Sequence, residues 1–291
     1  MGRLIVLFAI LAVGCVESLD SGLRVKFNLG LFPGRNFFFD VPRHVDDASA
    51  KEWSPMPRPP SPLDPLVMYC APELVICGLY DPETRFVGGV QVALPMNEFT
   101  GARFDWVTQG FIPWTPPGDS VVYMTKQLYF ISEATLSKSP EERIQAAQKN
   151  EVLQEKSVWP MGFDQKLMEV PTDLDGILEA NFTKQACIPW MGQHYYYKMS
   201  AETTCTADTM LNWFPIVSDE KLIGMGFVTF GALEEKSGQR FYFERPPRVA
   251  VQAIVPHGPQ CLYQLAQEPT LTTMHIYFID KPWLVFCPLF D

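Results

Sequence analysis

Apolar and polar positions along this chain follow mostly a period of two, so the pattern predicts strands more often than helices. Leu74 to Leu79 is an apolar run. Arg85 to Leu94 sets Val87, Val90 and Val92 around Gly88-Gly89, and Val121 to Ile131 alternates with aromatics. Segments 194–199, 221–230, 240–244, 248–255 and 273–279 read the same way. β-branched and aromatic residues suit a pleated, half-buried surface, and turn residues bound these runs. In the last segment His275, Tyr277 and Ile279 should share one face, and Met274, Ile276 and Phe278 the other.

Three segments break the pattern. Ser139-Pro140-Glu141-Glu142 offers an N-cap, a proline at the first helical position and an acid three residues after the cap. The spacing predicts a solvated helix over 140–156, joining two halves. Asp173 to Ala180 predicts a second, short helix; its Asp-Leu-Asp-Gly start does not continue as a calcium loop. Residues 54–66 hold six prolines, which predicts an extended connector rather than a strand or helix.

The halves resemble each other. Arg85-Phe86-Val87-Gly88 parallels Lys221-Leu222-Ile223-Gly224, and Gln127-Leu128-Tyr129-Phe130-Ile131-Ser132 parallels His275-Ile276-Tyr277-Phe278-Ile279-Asp280. This suggests two related β-rich units. Near Glu244 the first unit has Val107, and opposite His275 it has Gln127.

The amino terminus places Arg3 before the apolar run Leu4 to Val13, followed by Gly14-Cys15. That describes a secretory signal peptide over 1–15, too short to span a bilayer well. The bacterial lipoprotein pattern fits only loosely, because leucine is usual where Ala12 stands. Of seven cysteines, removing Cys15 leaves Cys70, Cys77, Cys187, Cys205, Cys261 and Cys287. An even count in an exported chain predicts three disulfides, with fifteen connectivities open. The favoured set joins Cys187 to Cys205, Cys261 to Cys287 and Cys70 to Cys77. Asn181-Phe182-Thr183 is a glycosylation acceptor in an exported eukaryotic protein.

The formal net charge is −10 over 291 residues, with no basic footprint, which argues against nucleic acid as a partner. The mature chain carries no apolar stretch of transmembrane length, so no stable membrane insertion is expected. Hydrolase elbow, zinc helix and phosphate loop are all missing, and Gly224-x-Gly226 lacks the rest of a dinucleotide fingerprint. No cofactor is named by any motif.

The densest chemistry lies in Cys187-Ile188-Pro189-Trp190-Met191-Gly192-Gln193-His194-Tyr195-Tyr196-Tyr197. The other three histidines are His44, His257 (in a Pro-His-Gly-Pro turn) and His275. With Glu244, His194 and His275 could form a facial metal site or an acid/base pair. His194, Tyr195, Glu244 and His275 could equally line a ligand pocket. The first unit lacks these residues, so any site should lie in the second.

Met191-Gly192-x-His194, Phe243-Glu244-x-Pro246 and His275-x-Tyr277-Phe278 together resemble a poorly characterised family of exported proteins with a Met-Gly-x-His core. The resemblance covers about residues 187–280 and implies no activity.

The expectation is therefore an α+β, mostly β protein. It comprises a signal peptide (1–15), an amino-terminal segment with a proline-rich linker (16–66), a first unit (67–137), a connecting helix (138–160) and a second unit (161–291). A non-catalytic extracellular binding or interaction protein with an unknown partner is the leading functional reading. A metal-assisted hydrolase or oxygenase using His194, Glu244 and His275, and a carrier of small apolar ligands, are the alternatives.

Overall fold

A computed structural model describes residues 20–27, 34–147, 151–236 and 240–287. The signal peptide expected over 1–15, Cys15 included, falls outside these residues. The strands are β1 Ser21–Lys26, β2 Phe38–Asp40, β3 Ser54–Met56, β4 Val67–Cys70, β5 Ile76–Tyr80, β6 Val87–Pro95, β7 Phe99–Thr100, β8 Ile112–Trp114, β9 Tyr123–Tyr129, β10 Ser157–Pro160, β11 Val170–Pro171, β12 Phe182–Ile188, β13 Gly192–Tyr197, β14 Trp213–Ser218, β15 Lys221–Phe230, β16 Ala232–Leu233 and β17 Leu271–Ile279. The α-helices are short: α1 Val45–Ala50, α2 Glu133–Leu136, α3 Pro140–Ala147, α4 Leu174–Glu179, α5 Arg248–Ile254 and α6 Gln260–Leu265.

Two large antiparallel sheets carry the fold. The first runs β11-β10-β9-β6-β5-β4-β3, with β8 also on β9; the second runs β12-β13-β14-β15-β17-β1-β2. Both follow one order: a four-strand meander, a strand that returns beside its last member, then two outer strands. In the second sheet those outer strands, β1 and β2, come from the start of the chain. Residues 21–40 thus belong to the second sheet, while β3 lies in the first.

The alternation explains the packing. Val90, Leu128 and Phe130 of the first sheet and Met225, Met274, Ile276 and Phe278 of the second are buried in one shared core. Phe130 and Phe278 meet across it, ring centroids 5.1 Å apart. The faces turned away from this core are covered separately. Leu63 and Leu66 of the proline-rich segment pack with Met68, Leu79 and Tyr129 on the first sheet. Val251, Val255, Leu262 and Leu265 pack against Phe214, Val228 and Tyr277 on the second.

Several expectations need correction. Segment 248–255 is helix α5, not a strand. Its alternating valines suggested β, but Val251, Ile254 and Val255 share one face at helical spacing, and Val249 is left 72% exposed. Segment 240–244 forms no strand; only Glu244 bridges to Thr273. Of the predicted 140–156 helix, Pro140–Ala147 is helical, and among the described residues 151–156 are not. Its Ser139–Glu142 capping box is present, with reciprocal bonds of 3.1 and 3.3 Å. Arg143 on it is buried, paired with Asp81 at 2.5 Å. Ser157–Pro160 then pairs with β9. The start of the proline-rich segment is a strand, since Pro55 on an edge needs no ladder donor.

All six cysteines beyond Cys15 are paired, but two of the expected links are wrong. The bonds are Cys70–Cys77, Cys187–Cys287 and Cys205–Cys261. The chain after β17 returns to the β12–β13 turn, where Trp190 N–H donates to Val285 at 2.7 Å, and this brings Cys287 to Cys187. Cys205, in the loop after β13, meets α6 instead.

Candidate functional site

The outer face of the second sheet and the covering helices α5 and α6 enclose a cavity of about 70 Å³. Its wall is mostly apolar, including Met199, Met210, Phe214, Phe230, Val255 and Leu262. One end is polar, where His194, Glu244 and His275 come together. Three residues singled out from sequence, far apart in the chain, therefore meet here. Tyr195 does not: it points to the opposite face and is buried in the core between the sheets, whereas Tyr196 lines the cavity. Strand alternation demands that split.

The polar end is built around Glu244, whose backbone exchanges hydrogen bonds with Thr273 (2.7 and 2.9 Å) beyond the end of β1. Its carboxylate forms a fully buried ion pair with Lys26 of β1 and lies 3.4 Å from Nδ1 of His275. Burial opposes ionisation of Glu244, but the neighbouring His275 and then Lys26 outweigh it and hold the carboxyl below its ordinary range. His194 stands edge-on to His275, ring centroids 5.9 Å apart. Burial first, and then His275, push the His194 imidazole down from 6.5 to about 3, so it is neutral.

Local sequence explains how these side chains are held. Gly192 has φ +108°, and an added Cβ would meet Ile216 and Val217 at 2.9 and 3.0 Å. Only glycine adopts that backbone readily. Its carbonyl lies 3.0 Å from His194 Nδ1, so Nδ1–H donates to it and Nε2 is left as the acceptor. Met191 lines the cavity, and its carbonyl accepts from Tyr277 Oη at 3.3 Å. The Met-Gly-x-His element is thus a device that fixes one histidine tautomer. Gly226, opposite His275, leaves room for the Phe214 ring, which a Cβ would approach to 1.9 Å. Phe214 packs against both histidine rings at 5.7 and 5.6 Å.

Lys26 was not foreseen. Residues 16–50 show no clean period, and a single Val-Lys-Phe step carries no sign of a carboxylate 218 residues away.

The first sheet has the same positions without this cluster. Gly89 faces Tyr129 as Gly224 faces Tyr277, so in strand register Gly224 matches Gly89, one residue later than the expected Gly88. Continuing along the ladders, Gln127 stands at the place of His275 and Met68 at the place of His194. Ile112, not Val107, takes the place of Glu244, since it pairs with Thr125 as Glu244 does with Thr273. Met161, whose N–H donates to Gln127, sits where Lys26 does.

A metal does not fit the polar end. Among the described residues no three His, Cys, Asp or Glu side chains are placed to hold one. Although His194, Glu244 and His275 meet, the ammonium of Lys26 already sits on the Glu244 carboxylate where a cation would bind. Nor does His194 suit general-base work, because an imidazole with an acid strength near 3 takes protons poorly at neutral pH. Comparison with family models, with curated proteins and with solved structures finds no match.

Proposed function

We propose that this chain is an exported, non-catalytic binding protein that holds a small, largely apolar molecule between its second sheet and helices α5 and α6. The observation that carries this is the cavity itself: an apolar wall with one buried polar end, the usual composition of a ligand site. Three disulfides support an oxidising compartment. Exposed Asn181, in the turn before β12, is accessible to a glycan. The shared strand order supports descent of both sheets from one duplicated unit, with the second keeping the site. The resemblance to exported Met-Gly-x-His proteins agrees, since all three of its elements contribute to the cavity or its rim.

Uptake of small apolar probes, followed by NMR shifts of methyl groups lining the cavity, tests the reading. Val255→Phe, which fills the space from α5's end, should abolish the shifts while the protein stays folded. Probe shifts that persist unchanged in this variant would place binding elsewhere.

A further inference from the structure

We propose that the cavity selects a small neutral alcohol, whose hydroxyl donates to Nε2 of His194. This rests on the binding reading above and narrows it to a chemical class. His194 lines the cavity, and its Nε2 is fully buried and has no hydrogen-bond partner. A buried polar atom left unpaired costs about 1–3 kcal/mol, so the position calls for a donor. Nδ1–H is committed to Gly192, and burial keeps the ring neutral; Nε2 therefore presents a lone pair.

The surroundings select against charge. The Glu244 carboxylate is engaged by Lys26 and faces His275, so the polar end is already balanced. Thr273 Oγ1 donates to the Glu244 carbonyl at 3.3 Å, and Tyr277 Oη to Met191. A carboxylate ligand would meet a second anion and a lone pair. An ammonium would enter an apolar chamber with no uncommitted counter-charge. A hydroxyl supplies the missing donor with no net charge. Size follows from volume: about 70 Å³ is half of the roughly 150 Å³ that accommodates benzene in an engineered protein cavity. By that measure the space suits an alcohol of about three non-hydrogen atoms.

The test uses four probes of matching size: ethanol, chloroethane, acetate and ethylamine. Binding to the full mature protein is read by NMR shift titration. The alcohol should bind at least tenfold more tightly than the other three. His194→Met, which copies the residue at the matching place in the first sheet, should bind alcohol and chloride alike. If the chloride matches the alcohol in the unsubstituted protein, hydroxyl selection is overturned while apolar binding stands. If the carboxylate or amine binds best, the charge argument is overturned. If no probe binds, the binding reading itself falls.

Discussion

Protonation of His194 is the most direct physical test of the polar end. The unfolded chain takes a proton on this imidazole near pH 6.5, but the folded protein resists until about pH 3. A histidine held neutral in this way contributes stability that is complete above 6.5 and is lost as pH falls from there towards 3. Each pH unit is worth about 1.36 kcal/mol, so the whole interval amounts to about 5 kcal/mol. That is comparable to the total stability of many domains, about 5–15 kcal/mol. The clean window is pH 6.5 to 4.5, about 3 kcal/mol by the same arithmetic. Below it Glu244 adds a further loss of the same sign. Its carboxyl is held low in the fold, so its contribution is present above the ordinary 4.5 and vanishes as pH falls through the depressed value. The assay is urea unfolding at half-unit steps from pH 7.5 to 4.5, for the native sequence and His194→Met. The native protein should lose about 1.4 kcal/mol per pH unit more than the variant as pH falls below 6.5. Parallel stability curves in that window would refute the burial and neutrality argued for His194.

Other expectations concern what holds the site. Glu244→Ile alone should destabilise by about 3–5 kcal/mol, because the Lys26 ammonium stays buried without its carboxylate. Lys26→Met with Glu244→Ile reproduces Met161 and Ile112 of the first sheet and should recover most of that loss in the same denaturation assay. Replacing both Cys205 and Cys261 by serine should cost about 2–4 kcal/mol, read as a lowered melting temperature, since the link closes a separation of 56 residues. Gly226→Ala should cost about 1–3 kcal/mol, and aromatic NMR signals of Phe214 should move, because the new methyl overlaps the ring and forces it towards the cavity it lines.

Much of the strand framework was legible because alternation is a local property. Met274, Ile276 and Phe278 face the shared core and Tyr277 the other side, as a period of two requires. The same rule applied to α5 failed, since Val249-Ala250-Val251 satisfies both periods and only the covering position decides between them. The glycines illustrate another limit. Gly224-x-Gly226 stood out in sequence, yet its use, to make room for a phenyl ring, depends on β14 lying alongside.

The sequence by itself determined a β-rich chain, a capped helix and a histidine-bearing element in the second half. Each follows from residue types within a few positions of one another. Only the tertiary structure decided that β1 and β2 complete the second sheet, that Cys187 meets Cys287, and that Lys26 neutralises Glu244. These are contacts between segments remote in the chain, chosen by how sheets and covering helices bury their faces together. Local pattern carries no record of which partner arrives.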